Sequence, residues 1–390
     1  MDSSQICTSA KKKGDLSPSC GRPSGALQSY PALLRKRIYD FRDANEGWGA
    51  VSILVELEEK FGYPKSDLPT PYSVHRYLRE CGFIKSKEPK GNLPNGTLPF
   101  VKQVHDLWEM DAQGAVAVDG LAYIAMINIK DAKSKTYIGA FPVQVKGAKS
   151  QPKTVHYLWA LRLAFEEFGL PKAIQVDKDS VFIDNTSKSA FPSKLRLFLL
   201  ALGVELCFIE LPPPAKQAMV ERAHQTLYKQ VLEGKTYANW QALFSNTNER
   251  RRILNYKYPC RTLGKKAPLQ AFPQVAKPQR SYCLEQEPEL LKIERVEAFL
   301  ATCKWFRKVS TVKTLSLGKI HYLKQAKPNT ALSITFCNKN KKLIFRDVNE
   351  LIVQEIDASD FVKKLLNFPP IEEMIDTKRK LFENDKFPLE

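Results

Sequence analysis

The sequence predicts an α/β protein with a mixed sheet, and three patterns lead to this prediction. Residues 107–145 contain three apolar strands, with an Asp119-Gly120 hairpin signal between the first two. Residues 154–168 have apolar side chains at helical spacing and are closed by Gly169. Short apolar strands then alternate with helices. An antiparallel meander followed by strands with crossover helices is typical of an α/β layer fold.

The second half of this unit supplies two further strands and two further helices. A buried strand at residues 173–176 ends at Asp177, and a second strand covers residues 204–209. Helices are predicted at residues 193–202 and, after a triple proline, at about residues 218–233. In the resulting order βββ-α-β-α-β-α, we expect the first and fourth strands to be neighbours at the centre of the sheet.

The sequence pattern of residues 31–87 predicts a separate unit of three short helices. In its third helix Thr70 is a plausible N-cap, Pro71 fits the first helical position and Gly82 follows the end. Three helices of which the third is basic are typical of a helix-turn-helix domain, whose recognition helix enters the major groove of DNA. A generic three-helix bundle is the alternative. The recognition side chains would be His75, Arg76 and Arg79.

The remaining segments complete the predicted organisation. Residues 1–30 read as a flexible basic arm in which Arg22 is a candidate for the minor groove, with a plain linker as the alternative. The alternating β runs near the C-terminus predict a small β-barrel or sandwich that begins with a strand at about residues 295–308. The predicted division is arm 1–30, helix-turn-helix domain 31–87, linker 88–104, catalytic core with a trailing helix 105–280, linker 281–293, barrel 294–358 and charged tail 359–390.

The composition of the chain indicates which class of molecule the protein binds. The 390 residues carry a formal net charge of +18, and most of the excess lies in the central unit. Such a balance favours a polyanionic partner such as nucleic acid, although a basic protein that binds no polyanion is the alternative. Eight cysteines without a CxxC pair predict free thiols in a reducing, cytoplasmic compartment and argue against zinc. No apolar run is long enough for a membrane span, so we expect no membrane partner.

Three carboxylates occur at positions that favour a metal site. Asp111 lies inside the first apolar strand, Asp177 ends the fourth, and Glu221 begins the helix after the triple proline. Converging carboxylates suit Mg²⁺ or Mn²⁺, and two such ions catalyse phosphoryl transfer without a covalent intermediate. Each residue alone also has a structural interpretation. Asp111 would be a hydrogen-bonded strand residue, Asp177 would form a turn with Asp179, and Glu221 would be a surface residue paired with Arg222.

Three segments together resemble the signature blocks of the DDE transposases and retroviral integrases, in the bacterial insertion-sequence branch. They are residues 108–111 (WEMD), 175–182 (QVDKDSVF) and 212–227 (PPPAKQAMVERAHQTL). Residues 48–84 and 294–356 resemble the helix-turn-helix and the small β-barrel that flank the core in this family. The resemblance therefore extends over about residues 31–356.

The resemblance implies an RNase H-like catalytic core in which Asp111, Asp177 and Glu221 bind two Mg²⁺ ions, with Mn²⁺ as a substitute. Two positions depart from the family pattern. Lys178-Asp179 replaces a small Asn-Gly-like pair, which adds a negative charge beside the site, and Gln217 stands where an Asn is frequent.

Further residues are candidates for contacts to the DNA backbone, because they lie on or near the helix of Glu221 or in a basic run. A solvated charged face is the alternative for all of them. The candidates are Lys216, Gln217, Arg222, Gln225, Lys229, Arg250, Arg251 and Arg252.

The sequence therefore predicts a DNA transposase or integrase that cuts at transposon ends and transfers the 3′-OH to target DNA. We expect a homodimer or homotetramer on double-stranded DNA, located with the bacterial nucleoid when DNA is bound. The alternatives are a catalytically inactive, domesticated transposase that only binds DNA, and a nuclease that cuts without joining.

Overall fold

The structure is a computed structural model that describes residues 25–84, 101–177, 182, 189–208 and 218–367. Four residues singled out by sequence lie outside these ranges. They are Arg22, Asp179, Lys216 and Gln217. Within the described ranges, no helix combines the length and the apolar character that a membrane crossing requires.

Three helices form the N-terminal unit, as predicted. They are α1 (Ala32–Ala44), α2 (Ala50–Phe61) and α3 (Pro71–Glu80), with a 3₁₀ turn at Lys65–Asp67. The Thr70 side chain accepts a hydrogen bond from the Ser73 backbone N–H at 3.2 Å, which caps α3. Helix α2 ends at Gly62, whose φ of +66° is a left-handed conformation that glycine adopts without strain.

The N-terminal unit begins earlier than the sequence predicts. Leu27 is 5% exposed and packs with Leu34, Ile38 and Leu57 in the core of this unit. The Ala26 backbone N–H also donates to Glu80 of α3 at 2.9 Å. These contacts correct the predicted end of the arm at residue 30, because the apolar side chain of Leu27 is buried among the helices.

The central unit has the predicted order of elements. They are β1 (Leu107–Val118), β2 (Ala122–Asp131), β3 (Tyr137–Val145), α4 (Thr154–Phe168), β4 (Ala173–Val176), α5 (Lys194–Ala201), β5 (Glu205–Phe208), α6 (Ala218–Leu227), a π-helical turn (Tyr228–Leu232) and α7 (Trp240–Tyr256). The sheet order is β3-β2-β1-β4-β5, which confirms that β1 and β4 are neighbours at its centre. Strands β1 to β3 pair antiparallel, whereas β4 is parallel to β1 and β5 is parallel to β4.

The predicted hairpin joins β1 and β2 at Asp119-Gly120. Gly120 has a φ of +85°, and a Cβ at this position would lie 2.3 Å from the backbone oxygen of Tyr237. Both the conformation and the close approach of the chain require glycine here.

Helices cover both faces of the sheet, so the central unit has three layers. One face buries Trp108, Met110 and Ile174 against α4 and α5. The opposite face buries Ile124 and Met126 of β2 against α6, the π-helical turn and α7. Alternate residues of β1 therefore point to different helical layers, and those that point toward α6 include Glu109 and Asp111.

The N-terminal unit packs against the central unit through a polar interface. Glu56 of α2 is fully buried and forms an ion pair with Arg250 of α7. The Trp48 indole N–H donates to the Lys229 backbone oxygen at 3.2 Å, and the Gln230 amide donates to the Ser52 hydroxyl at 3.2 Å. Lys229 and Gln230 belong to the π-helical turn, so α2 holds the segment that directly follows α6.

The connector from residue 257 to 292 contains short helical pieces, including α8 (Pro268–Ala271) and α9 (Glu287–Leu290). The Arg162 guanidinium of α4 donates to both carboxylate oxygens of Glu287, at 2.8 and 2.5 Å. Both side chains are at most 3% exposed. This buried bidentate pair fixes the connector against the central unit.

The C-terminal unit differs from the predicted barrel. Residues 293–301 form helix α10 (Ile293–Ala301) and not a strand, because Val296 and Leu300 at a spacing of four residues place a single helical face in the core. In the described residues the strands form two separate antiparallel sheets. These are β11-β10-β9-β6 and β7-β8, with β6 (Lys304–Lys308), β7 (Thr314–Leu317), β8 (Lys319–Tyr322), β9 (Ala331–Cys337), β10 (Lys342–Arg346) and β11 (Ile352–Asp357).

The end of this unit also corrects a predicted boundary. Helix α11 (Phe361–Leu365) buries Phe361 and Val362 in the same core as Trp305 and Phe345. The apolar side chains of α11 belong to the folded unit, so the charged tail does not begin at residue 359. Residues 368–390 lie outside the described ranges.

Replacing Arg250 with alanine tests the polar interface between the two units. The variant leaves the fully buried Glu56 carboxylate without its main partner, and the expected loss in the free energy of unfolding is about 3–5 kcal/mol. Urea denaturation followed by tryptophan fluorescence measures this loss. Lys342→Ala breaks a pair in which both side chains are more than one-third exposed, and its expected effect on stability is much smaller. Equal losses in the two variants would contradict the importance of the buried pair.

Candidate active site

The parallel pairing of the two central strands leads toward Asp111 and Asp177. Leu107, Trp108 and Glu109 pair with Ala173, Ile174 and Gln175 in the parallel ladder. The ladder ends there, and Asp177 directly follows β4. If the register continued by two residues, Asp111 and Asp177 would be aligned, about 4.8 Å apart and on the face that α6 covers.

Helix α6 lies along β1 on this face. At its start, Met219 packs against Leu107 and Ala173, which begin β1 and β4. Toward its end, Leu227 packs near Val118 in the cluster shared with β2. This course carries the helix over the middle of β1, where Glu109 and Asp111 project.

One flank of α6 faces β3, and Glu221 lies on the other. Thr226 and Arg222 lie close to Tyr137, whose pKa burial raises, and Arg222 also lies close to Lys130. Glu221 is about 100° around the helix from Arg222 and about 60° from His224. Glu221 thus shares its flank with His224, which contacts Asp111.

Glu109 lies between the first turn of α6 and β1. The Glu109 side chain is 4% exposed and lies near the backbone N–H of Val220, which favours the charged form of the carboxyl group. Desolvation is the larger effect and raises the pKa of Glu109 to about 7 in spite of the nearby positive charges of Lys135 and Lys130. A carboxylate near the start of a helix also interacts favourably with the helix dipole.

Lys130 lies opposite Glu109 in the antiparallel ladder of β1 and β2. Its ammonium group lies 3.9 Å from the ring centroid of Tyr137, and burial lowers the pKa of Lys130 to about 8. Glu109 and Lys130 are thus two opposite charges beneath α6, both disfavoured by burial. Their nearness partly offsets this cost.

His224 joins α6 to both central antiparallel strands. The His224 Nε2 atom is 3.0 Å from Asp111 Oδ2, and its Nδ1 atom is 2.6 Å from Asn128 Nδ2. Asn128 is fully buried in β2, whereas the Asp111 side chain keeps 24% of its surface exposed. The other Asp111 oxygen, Oδ1, accepts from the Ala112 backbone N–H at 2.8 Å.

The three predicted ligands have the chemistry that a divalent cation requires. All are carboxylates, the oxygen donors that Mg²⁺ prefers, and Asp177 and Glu221 are exposed. In the described ranges, however, the ligand atoms of Asp111, Asp177 and Glu221 do not all lie within 4.8 Å of one another. Binding one cation with all three residues therefore requires side-chain rotations. The donor set fits the ion.

Several of the predicted DNA contacts are on the protein surface. His75, Arg76 and Arg79 are exposed on α3, where Arg76 donates to Glu80 at 2.9 Å. Arg222 and Gln225 are exposed on α6. Lys229 is exposed in the π-helical turn, and its side chain lies against Gly47. These positions form two separate surfaces, one on the N-terminal unit and one beside the acidic residues.

The structure corrects the expectation for two arginines. Arg250 is 5% exposed and pairs with Glu56. Arg251 is 3% exposed and donates to both carboxylate oxygens of Glu167, at 2.9 and 2.7 Å. Because both guanidinium groups are buried on protein partners, neither is available to a DNA phosphate. Arg252 is half-buried on the same helix.

Sequence reasoning missed the roles of Glu109, Asn128 and His224. The sequence did contain an indication for Glu109 and for Asn128, because a charged or amide side chain inside an apolar strand requires a partner. The spacing of three residues between Glu221 and His224 also places both on one flank of a helix. The partners themselves come from β1 and β2, about 100 residues away in the chain.

The fold and the site together define a mixed α/β protein with acidic side chains at the centre of its sheet. No protein-family model matches the sequence. Similar solved structures are two forms of the HTLV-2 integrase catalytic core domain in complex with magnesium and the catalytic core domain of BIV integrase. The trimeric HTLV-2 form is 14% identical, covers 47% of this chain and 99% of its own, and has a TM-score of 0.31.

The other two structures give similar values. The BIV domain is 14% identical and covers 44% of this chain and 95% of its own, with a TM-score of 0.30. The dimeric HTLV-2 form is 14% identical and covers 43% and 96%, with a TM-score of 0.32. The fold of this chain is defined by its own strand order and register.

Glu109→Gln tests the electrostatics beneath α6. The pKa of Glu109 is about 7 in the folded protein and near 4.5 in the unfolded chain, so the folded state holds a proton that the unfolded state releases. The wild type should therefore lose stability as pH rises from about 4.5 to 7, and the glutamine variant should lack this loss. Urea denaturation at pH 5, 6 and 7 measures the difference between the two proteins. A difference independent of pH would contradict the raised pKa.

Proposed function

We propose that this protein is a DNA transposase or integrase of the DDE type. It would cut at the ends of a mobile element and transfer the resulting 3′-OH to target DNA. The observation that supports the proposal is the parallel pairing of β1 with β4, which ends two residues before Asp111 and Asp177, under the helix that bears Glu221. The resemblance of the three sequence segments supports the same assignment.

In this proposal Asp111, Asp177 and Glu221 hold two Mg²⁺ ions, for which Mn²⁺ can substitute. When bound, the ions supply positive charge that activates the attacking oxygen and stabilises the charge on the phosphate. Asp111 lies in β1 at the centre of the sheet, and Asp177 directly follows β4. Glu221 lies on a helix that Glu109 and His224 attach to β1. A site of this kind keeps its ligands on fixed elements, as positioning of a phosphodiester requires.

The charge of the protein fits a DNA partner. With a net charge of +18, the chain attracts the phosphate backbone without reading sequence. Gln225 and Lys229 follow Glu221 along α6 and the π-helical turn, so they are our candidates for contacts to the strand that reacts. Arg222, on the β3 flank of α6, is a candidate for a more distant phosphate.

The N-terminal unit is the proposed reader of the element's ends. In a helix-turn-helix arrangement α3 would enter the major groove, with His75 and Arg79 toward the bases. Because the unit packs on α7 and on the π-helical turn, DNA bound to α3 would have a defined direction relative to the acidic residues. Joining two ends in one reaction requires at least two copies, so we propose a homodimer or homotetramer on DNA.

Substitution of the acidic residues tests the catalytic part of this proposal. Asp111→Asn, Asp177→Asn and Glu221→Gln should each abolish cleavage and strand transfer, since each removes a metal-binding charge while it preserves shape. Binding to DNA that carries the element's own ends should stay within about threefold of wild type. The measurements are a strand-transfer assay in Mg²⁺ and in Mn²⁺, and fluorescence anisotropy in the absence of divalent metal.

The same assay separates the alternative functions. Joined products from the wild type only support the transposase. Cleaved but unjoined ends support a nuclease. DNA binding by the wild type without cleavage in either metal supports a non-catalytic DNA-binding protein, and Asp179→Gly is then the next variant to test.

A charge-matched pair of variants tests the role of α3. Arg79→Ala should weaken binding to the element's end by roughly tenfold, the loss expected for one good base contact, and should weaken binding to random duplex much less. Lys36→Ala removes the same charge from α1 of the same unit, at a side chain that is 75% exposed. Equal losses of both variants on both duplexes would contradict sequence reading by Arg79.

A further inference from the structure

A hydrogen-bonded chain of three side chains crosses from β2 to α6 and back to β1. Asn128 of β2 contacts His224 of α6, and His224 contacts Asp111 of β1. The His224 side chain is 12% exposed, and Asn128 is fully buried. The chain therefore runs from the interior of the protein to the surface at Asp111.

The contacts define the direction of the hydrogen bonds. The Asn128 amide nitrogen can only donate, so Nδ1 of His224 is the acceptor. Nε2 then carries the proton and donates to Asp111 Oδ2 at 3.0 Å. An imidazole in this tautomer offers one donor to the carboxylate. Asn128 thus selects the form of His224 that Asp111 needs.

Packing alone does not account for this arrangement. Asn128 lies between Ile127 and Ile129 in a buried strand, where an apolar residue would cost less free energy than an amide. The Asn128 Oδ1 atom has no hydrogen-bond partner in the described structure, so the amide is not placed there to satisfy its own groups. The contact that its nitrogen makes is the one to His224.

We propose that His224, oriented by Asn128, is a positioning residue that holds the Asp111 carboxylate for metal binding. This inference rests on the proposed function, since it assigns a metal to Asp111. The hydrogen bond restricts rotation of the carboxylate and leaves the remaining lone pairs of both oxygens for a cation. It also attaches the turn of α6 that follows Glu221 to β1, so the distance between the two acidic residues depends on it.

The choice of histidine has an electrostatic reason. A lysine or arginine at this position would also donate to Asp111, but its charge would repel a divalent cation at the same carboxylate. Histidine donates to the carboxylate through one ring nitrogen and carries no permanent charge. Groups that orient a metal ligand in this way typically affect metal affinity by 10- to 100-fold.

Direct metal binding tests the proposal without reference to catalysis. Mn²⁺ is titrated into the full-length protein, alone and with a duplex of the element's end, and free Mn²⁺ is measured by electron paramagnetic resonance. His224→Ala should raise the dissociation constant by about tenfold or more. His224→Gln should recover most of this loss, because a glutamine amide can donate to Asp111 and accept from Asn128. Thr226→Ala, on the other flank of α6, is the matched control and should stay within twofold.

A second variant keeps the test valid if His224→Ala folds poorly. Asn128→Leu keeps the branching of the side chain and removes the donor to Nδ1, so it should weaken Mn²⁺ binding in the same direction by a smaller factor. Since the two residues act as one unit, the double variant should be no worse than His224→Ala. Long-range ¹H–¹⁵N spectra of the five histidines should show one proton on Nε2 of His224 in the wild type and a mixture of tautomers in Asn128→Leu.

The outcomes separate this inference from the proposed function. If Asp111→Asn loses Mn²⁺ binding while His224→Ala stays within twofold of wild type, the positioning role is wrong and the metal site stands. If Asp111→Asn and Asp177→Asn both bind Mn²⁺ as the wild type does, the proposed metal site is wrong. The proposed role of His224 in positioning a metal ligand is then wrong as well. Loss in His224→Ala with recovery in His224→Gln supports both.

Discussion

The packing position of α6 on β1 is the constraint on which the rest of the candidate site depends. A helix can lie on a sheet in many positions, and apolar packing alone selects among them weakly. Here two polar side chains constrain it: Glu109 is buried beside the Val220 N–H, and His224 donates to Asp111. Because these contacts lie on successive turns of the helix, they define both its position along β1 and its rotation. The flank on which Glu221 projects follows from them.

The N-terminal unit extends this constraint to the segment after the helix. Ser52 and Trp48 bond to the π-helical turn that follows α6, and Glu56 pairs with Arg250 on α7. A π-helical turn places one extra residue in the helical ladder, and such turns occur frequently at functional sites. The buried ion pair costs desolvation, so its contribution lies less in stability than in a single arrangement of the two units. The exposed face of α3 therefore has a fixed direction relative to the acidic residues.

Much of this architecture follows from local patterns. The strand at Leu107–Val118 and the helix at Thr154–Phe168 have the predicted bounds, because a period of two or of 3.6 in apolar side chains reflects which face is buried. The N-cap at Thr70 is similarly local. The errors lie where tertiary contacts decide. Residues 293–301 are helical although they were predicted as strand, and the phosphate contacts expected of Arg250 and Arg251 are excluded by burial on Glu56 and Glu167.

The sequence by itself determined the order of the elements, the excess of positive charge and the three acidic positions. These depend on residue type and on spacing within one element, which the chain displays directly. The parallel pairing of β1 with β4, the pairing of His224 with Asn128 and the burial of Arg250 were decided only by the tertiary structure. Each of these joins residues of different elements. Their distances depend on sheet register and helix packing, and local propensity carries no information about either.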